Sequence, residues 1–217
     1  MKQKEKFLES EGNGWFLRNQ NAIKNRKFPE DDPVLRELVT LPSDSGGGQL
    51  TLLEIGCSGG YKLEWIERNM GYQCTGIEPL KKAVNEAKQK GLNVVKGTAD
   101  NLPFQDNTFD IVIFGFCLYL CDREDLFRIA YEADRVLKTP GWLIIHDFFS
   151  IYPTKNPYHH VPGIFSYKMD YKTMFTWHPA YICFKHTVFH HEHPDKFCYS
   201  DDQNQWTAVS ILRKCAQ

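Results

Sequence analysis

The chain contains no run of about 18 apolar residues, the length a membrane-crossing helix requires, so no membrane span is expected. Its opening, Met1-Lys2-Gln3-Lys4-Glu5-Lys6, leads into no long apolar stretch. No secretory leader is expected, and the cytoplasm is the expected compartment. A surplus of one charge is also missing. The 26 Lys and Arg stand against 27 Asp and Glu, a net charge of −1. Nucleic-acid binders carry a basic footprint, so no nucleic-acid partner is expected. Internal repeats are absent. Cysteine is present seven times, at 57, 74, 117, 121, 183, 198 and 215, but never as C-x-x-C. An odd count without zinc-like spacing reads as free thiols in a reducing compartment.

What is present is ordinary globular material. At 217 residues the chain suits one domain, and 42% hydrophobic residues supply a core. Three short apolar runs, Leu50 to Ile55, Phe109 to Phe116 and Trp142 to Ile145, lack polar alternation. Such runs suit strands of a parallel sheet buried on both faces. Gln73 to Ile77 and Asn93 to Val95 are weaker strand candidates. Between them lie helical patterns. Leu80, Ala83, Val84 and Ala87 recur at helical spacing before Gly91; Leu126, Ile129, Ala130, Ala133 and Leu137 form a second stripe. Asp122 is placed to cap that second helix. Tyr61 to Met70 reads as a third helix, stopped near Gly71.

The order β-α-β-α-β-loop-β-α-β predicts a doubly wound α/β domain. Tyr181 to His190 and Gln205 to Arg213 add two strands. We expect an N-terminal helical cap and linker over residues 1–45, with a helix inside Phe7 to Asn25 and the linker at Pro42 to Gln49. The main domain is expected over 46–217, with a long insertion at 149–178 acting as a substrate lid.

Three signals fall at strand ends. Leu52-Leu53-Glu54-Ile55-Gly56-Cys57-Ser58-Gly59-Gly60 is a strand, a small-residue turn and a helix start. Small residues let backbone approach a ligand, and a helix start offers free N–H groups. Gly76-Ile77-Glu78-Pro79 puts a carboxylate where both ribose hydroxyls of a nucleoside can be accepted. Gly97-Thr98-Ala99-Asp100-Asn101-Leu102-Pro103-Phe104 follows the third strand. The three converge on one crevice at the carboxyl edge of the sheet.

Together with Asn107-Thr108-Phe109-Asp110-Ile111-Val112 and Glu132-Ala133-Asp134-Arg135-Val136-Leu137-Lys138-Thr139-Pro140-Gly141-Trp142-Leu143, these motifs make residues 50–148 resemble the class I S-adenosylmethionine-dependent methyltransferases. The resemblance implies a Rossmann-like sheet of seven strands whose last strand is antiparallel, and S-adenosyl-L-methionine as cofactor. It implies that Glu54, Gly56, Cys57 and Ser58 surround the methionine end of the cofactor. Glu78 would hold the ribose, Pro79 would pack near the adenine, and Thr98, Ala99 and Asp100 would form the adenine loop. Phe116 would line the transfer site, with Tyr119 close by. The chain departs from the family at two places. Ser58 replaces the middle glycine of the turn, and Thr98 stands where many members have an Asp for the adenine amino group. Other readings are a nicotinamide-dependent oxidoreductase, a protein or RNA methyltransferase, and a non-catalytic methyltransferase-like subunit. Against the oxidoreductase, the turn is Gly56-x-Ser58-Gly59-Gly60 rather than G-x-G-x-x-G.

Acceptor signals are weaker, because methyl transfer asks mainly for alignment and a dry site. The expected acceptor is a small molecule, anionic or hydroxylated, methylated at oxygen or nitrogen. His146 and His159 are the candidate bases. Arg18, Tyr158, His159, His160, Tyr167 and Lys168 are the candidate acceptor-binding residues. In similar methyltransferases a helix like that of Trp15-Phe16-Leu17-Arg18-Asn19 covers the cofactor site. The cluster His186, His190, His191 and His193 matches no closed tetrahedral spacing, and no metal is expected.

Overall fold

The computed structural model describes residues 2–42, 48–193 and 200–216. Residues 43–47 of the expected linker, the boundary drawn at residue 45, and Cys198 lie outside the described residues. At the N-terminus, α1 (Gln3–Lys6) runs through one π-helical turn, Phe7–Glu11, into α2 (Gly12–Lys24). A short α3 (Pro33–Leu38) follows. Asp32 starts it, its carboxylate accepting the N–H groups of Val34 at 2.9 Å and Leu35 at 3.0 Å, with Pro33 at the first helical position.

The main domain alternates as expected: β1 (Thr51–Ile55), α4 (Tyr61–Met70), β2 (Gln73–Glu78), α5 (Lys81–Gln89), β3 (Val94–Lys96), β4 (Phe109–Gly115), α6 (Leu126–Val136) and β5 (Leu137–Phe148). Helix α4 stops at Gly71, which takes the left-handed conformation at φ 69°. Strand β5 is longer than its apolar run, because a later strand pairs with it from Gly141 to Phe148. The insertion holds a small antiparallel hairpin, β6 (Thr154–Pro157) with β7 (Phe165–Lys168), and one turn of helix, α7 (Thr173–Thr176). The chain ends with β8 (Tyr181–His190) and β9 (Trp206–Lys214).

The seven-stranded sheet has the order β3-β2-β1-β4-β5-β9-β8. Strands β1 to β5 pair in parallel, and β9 is antiparallel to both neighbours. The order reverses between β1 and β4, the place where an open α/β sheet leaves a crevice. Alternation along the strands then decides which side chain sees which layer. Leu53, Ile55, Val112, Phe114 and Ile145 pack with α6 and with Tyr171 and Phe175 of the insertion. Leu52, Ile111, Ile113 and Ile144 pack with α3, α4 and α5. By the same alternation Glu54 and His146 face the α3–α4 layer, while Asp147 faces the other.

One capping expectation is corrected. Asp122 does not cap α6. Its carboxylate accepts the N–H groups of Gln3 at 3.1 Å and Lys4 at 2.9 Å, so it caps α1 across the fold. A carboxylate stabilises whichever free helix start lies in reach, and the N-terminal segment is laid against it. Among the described residues, no helix is long and apolar enough to cross a membrane.

Candidate functional site

Two cavities open at the carboxyl ends of β1 and β4. The first encloses about 890 Å³, part of it open to solvent. Its floor is backbone. Gly56 sits at φ 79° and Ser58 at φ 50°, so the turn is left-handed at both places. At Gly56 any side chain would meet the side chain of Cys117. Ser58 tolerates the conformation at some cost, which explains why glycine is usual there. The turn is pinned from β2: Glu78 accepts the Ser58 N–H at 2.9 Å and the Leu80 N–H at 3.1 Å. Burial pushes the Glu78 carboxyl up to about 7, with the Leu80 and Ser58 N–H groups opposing the rise and the Glu54 carboxylate adding to it. Pro79 and the loop Gly97 to Asp100 complete the wall.

The roof of this cavity is the N-terminal segment. Its single π-helical turn, a device that re-aims side chains within a helix, places Phe7 and Leu8 over the opening. Lys4 and Trp15 flank them. Lys4 Nζ lies 2.6 Å from Asp100. Gln3 ties the segment to the insertion, accepting the Phe165 N–H at 2.9 Å and donating to the Phe165 carbonyl at 2.8 Å.

The second cavity, about 1310 Å³, lies on the α3–α4 side and shares Trp15, Gly56, Ser58, Gly115, Phe116 and Tyr119 with the first. Phe116 is the dividing wall. It sits at φ 63°, an outlier for an aromatic residue. Its ring packs against Tyr119 at 5.5 Å, His146 at 4.9 Å and Phe148 at 4.9 Å. Trp15 Nε1 donates to the Tyr119 hydroxyl at 3.1 Å.

The floor of this second cavity is ionic. Lys62 Nζ lies 3.0 Å from Glu54 and 3.6 Å from Asp32, and Arg26 lies 3.5 Å from Asp32. Burial opposes the charge on Lys62, but Asp32 and Glu54 outweigh it and hold the ammonium in place. Burial likewise works to raise Asp32, and Lys62 wins, keeping it ionised. For Glu54 burial is the stronger influence and the shift is upward. His146 is buried beside this group. Desolvation, opposed by Asp32 and aided by Lys62 and Arg26, drives it down to about 3, so its imidazole is neutral. Asp147, on the opposite face, is pushed up by burial to about 7 and accepts the Leu118 N–H at 2.7 Å. Two buried polar atoms here have no partner, Ser58 Oγ in the wall the cavities share and Glu54 Oε2 in the second.

The structure gathers Gly56, Ser58, Glu78, Pro79, Thr98, Ala99, Asp100 and Phe116 around the first cavity. Glu54, Cys57 and His146 line the second. The expected acceptor residues are elsewhere. Arg18 is paired with Glu11, which also accepts the Tyr158 hydroxyl at 2.9 Å. His159 and His160 lean on each other in an exposed turn, 3.9 Å between ring centroids and tilted by 46°. Tyr167 lies under the Arg123 guanidinium. Lys168 is buried behind Phe148 and donates to the Asn204 carbonyl at 2.6 Å. None of these six lines either cavity, and neither does any other residue of 149–178. The cover comes instead from the N-terminal segment and from Phe189, His191 and Thr207 at the β8–β9 end. The hairpin packs on the outside of that cover. Sequence reasoning missed Lys62, Asp32, Phe28 and Phe189. Asp32-Pro33 is legible only as a helix start, and Lys62 resembles any first-turn lysine.

A small-residue turn after β1, a buried carboxylate at the end of β2 and a polar loop after β3 meet at the carboxyl edge of the sheet, the arrangement of a nucleoside-binding α/β domain. A family model described as a methyltransferase domain matches residues 53–145. The ubiquinone/menaquinone biosynthesis C-methyltransferase UbiE of Desulfotalea psychrophila is 30% identical over 169 residues, 72% of this chain and 66% of its own length. The norajmaline N-methyltransferase of Rauvolfia serpentina is 36% identical over 106 residues, 45% of this chain and 36% of that one. Among solved structures, the Burkholderia thailandensis 1,6-didemethyltoxoflavin-N1-methyltransferase, with that compound and S-adenosylhomocysteine bound, superposes with a TM-score of 0.68 at 13% identity. The superposition covers 98% of this chain and 87% of that one. The chain belongs to the class I S-adenosylmethionine-dependent methyltransferases. It spans 36% to 66% of the length of the first curated relatives it matches.

Proposed function

We propose that this chain transfers a methyl group from S-adenosylmethionine to a small-molecule acceptor, with the cofactor in the first cavity and the acceptor in the second. The observation that carries this reading is the shared wall. Gly56, Ser58, Gly115, Phe116 and Tyr119 border both cavities, so a group on one ligand can meet an atom of the other without crossing solvent. The residues present fit the cofactor. Glu78 has lone pairs left for ribose hydroxyls, the Ala99 loop lies where an adenine edge would end, and the unpartnered Ser58 Oγ suits an amino-acid head group. The bound cofactor supplies a methyl group on a positively charged sulfur.

The chain's own part is alignment and exclusion of water. Phe116 and Tyr119 keep the junction dry, and His146 can accept or donate one hydrogen bond to an acceptor as a neutral imidazole. An imidazole held near 3 is a poor resting place for a full proton. A neutral acceptor therefore gives up its proton to water after the new bond forms, unless the acceptor itself changes that environment. A small acceptor fits a recess of this size and a chain without a basic tract, and the relative named for norajmaline supports it. The six described cysteines are free thiols, which suits the cytoplasm.

Calorimetry with S-adenosylhomocysteine tests the cofactor site. One site is expected, and no binding by folded protein overturns the reading. A labelled-methyl assay against a metabolite extract tests the acceptor class. Label in the small-molecule fraction is expected; label only in RNA or protein overturns that half.

A further inference from the structure

We infer that the second cavity takes an uncharged flat ring compound and turns away carboxylates and phosphates. The inference rests on the reading of that cavity as the acceptor chamber. Its walls are rings: Trp15, Phe28, Phe116, Tyr119, Phe148 and Phe189. Phe116, Tyr119 and Phe148 are in mutual contact, with Tyr119 and Phe148 5.2 Å apart, and His146 links Phe116 to Phe189 at 4.9 and 5.9 Å. Offset and edge-on ring contacts favour a planar guest with its own π face. Both histidines of the lining, His146 and His191, are shifted toward the neutral form, burial being the main cause in each. They offer hydrogen bonds without charge.

The charges of the chamber argue against an anion. Among the described residues lining it, the cations are Lys62 and Arg26, and the carboxylates are Asp31, Asp32 and Glu54. Lys62 is held between Glu54 and Asp32, and Arg26 also turns to Asp32. Lys62 is fully engaged, and Arg26 leans on Asp32 from a partly exposed position. A carboxylate entering this space would lose water, meet more carboxylates than cations and lie near Asp32. The four groups proposed from sequence to hold an anion, Arg18, His159, His160 and Lys168, are all outside. A neutral ring loses little hydration and buries its faces.

The test uses an isosteric pair on protein saturated with S-adenosylhomocysteine at pH 8: 2-naphthamide, uncharged, and 2-naphthoate, anionic. Calorimetry is expected to show the amide binding at least about tenfold more tightly, since even a partial loss of ion hydration exceeds that ratio. Asp32→Asn keeps the cap of α3 and removes one negative charge. It is expected to raise naphthoate affinity by about fivefold or more while the amide stays within about twofold. Phe189→Ala, which borders only the second cavity, is expected to weaken the amide about fivefold with cofactor affinity unchanged. The inference is overturned if naphthoate binds as well as the amide, or if neither binds. Failure to bind S-adenosylhomocysteine would instead strike the reading of the first cavity.

Discussion

The two cavities share a wall, yet they are built by different means. Beneath its N-terminal roof, the first is made of strand ends and the turns that follow them: Gly56 to Ser58, Glu78 to Leu80, Gly97 to Asp100, Gly115 to Cys117. Each piece is local, and much of its contribution is backbone. The second is assembled by side chains from regions far apart in the chain, with α2 and α3 on one side, the end of β5 behind, and the β8–β9 end closing it. A backbone site survives many substitutions because its geometry is set by strand register and a few glycines. A side-chain chamber depends on every element that brings a wall. The cofactor half should therefore be robust and the acceptor half fragile.

The largest expected effect is in the fragile half. Lys62→Ala leaves Glu54 and Asp32 buried without their shared partner. Breaking such a group costs about 3–5 kcal/mol. Denaturant unfolding should show a loss of that size, and a loss under about 1 kcal/mol would mean that water reaches the group. Next comes Glu78→Ala in the cofactor half. It should weaken S-adenosylhomocysteine by about 1.5–3 kcal/mol in calorimetry, through lost hydrogen bonds to a charged group. Unchanged affinity would remove Glu78 from the site and blur the contrast between the halves.

A pH series separates the halves further. Glu78 titrates near 7 in the free protein, and ribose hydroxyls favour its charged form, so binding must expel the proton below that pH. Cofactor affinity should be full at pH 8 and fall about tenfold by pH 6, each pH unit below the free value being worth about 1.4 kcal/mol. His146, already neutral, adds no step in that window. A flat profile would show that Glu78 is charged before the cofactor arrives. The smallest effect is expected for Lys4→Ala at the roof. The Lys4–Asp100 pair is partly exposed, so stability should change by less than about 1 kcal/mol. Stopped-flow should nevertheless show faster cofactor release, because the strap over the cavity loses its tie.

The same contrast explains what could be read in advance. The glycine turn, Glu78 and the Thr98-Ala99-Asp100 loop were visible because the residues that matter lie within a few positions of a recognisable strand end. The acceptor side was sought among cationic and aromatic residues of the insertion. Composition there does not reveal direction. Tyr158 turns to Glu11, Lys168 to the Asn204 carbonyl, and the histidine pair to solvent. Asp122 was expected to cap α6, the next helix, but it caps α1, whose Lys4 lies 118 residues away in the chain.

Sequence alone determined the order of the seven sheet strands and of helices α4 to α6, the crevice at the sheet's carboxyl edge and the strand-end residues that line the first cavity. Those follow from short-range pattern: period-2 and period-3.6 burial, glycines where φ is positive, and carboxylates at strand ends. Only the tertiary structure decided that Lys62, Asp32, Arg26 and Glu54 form one ionic floor, that His146 is neutral, and that the N-terminal segment rather than the insertion roofs the site. Those are properties of distance and burial between remote segments, and the energies involved change sign with whether a partner is about 3 Å away or in water.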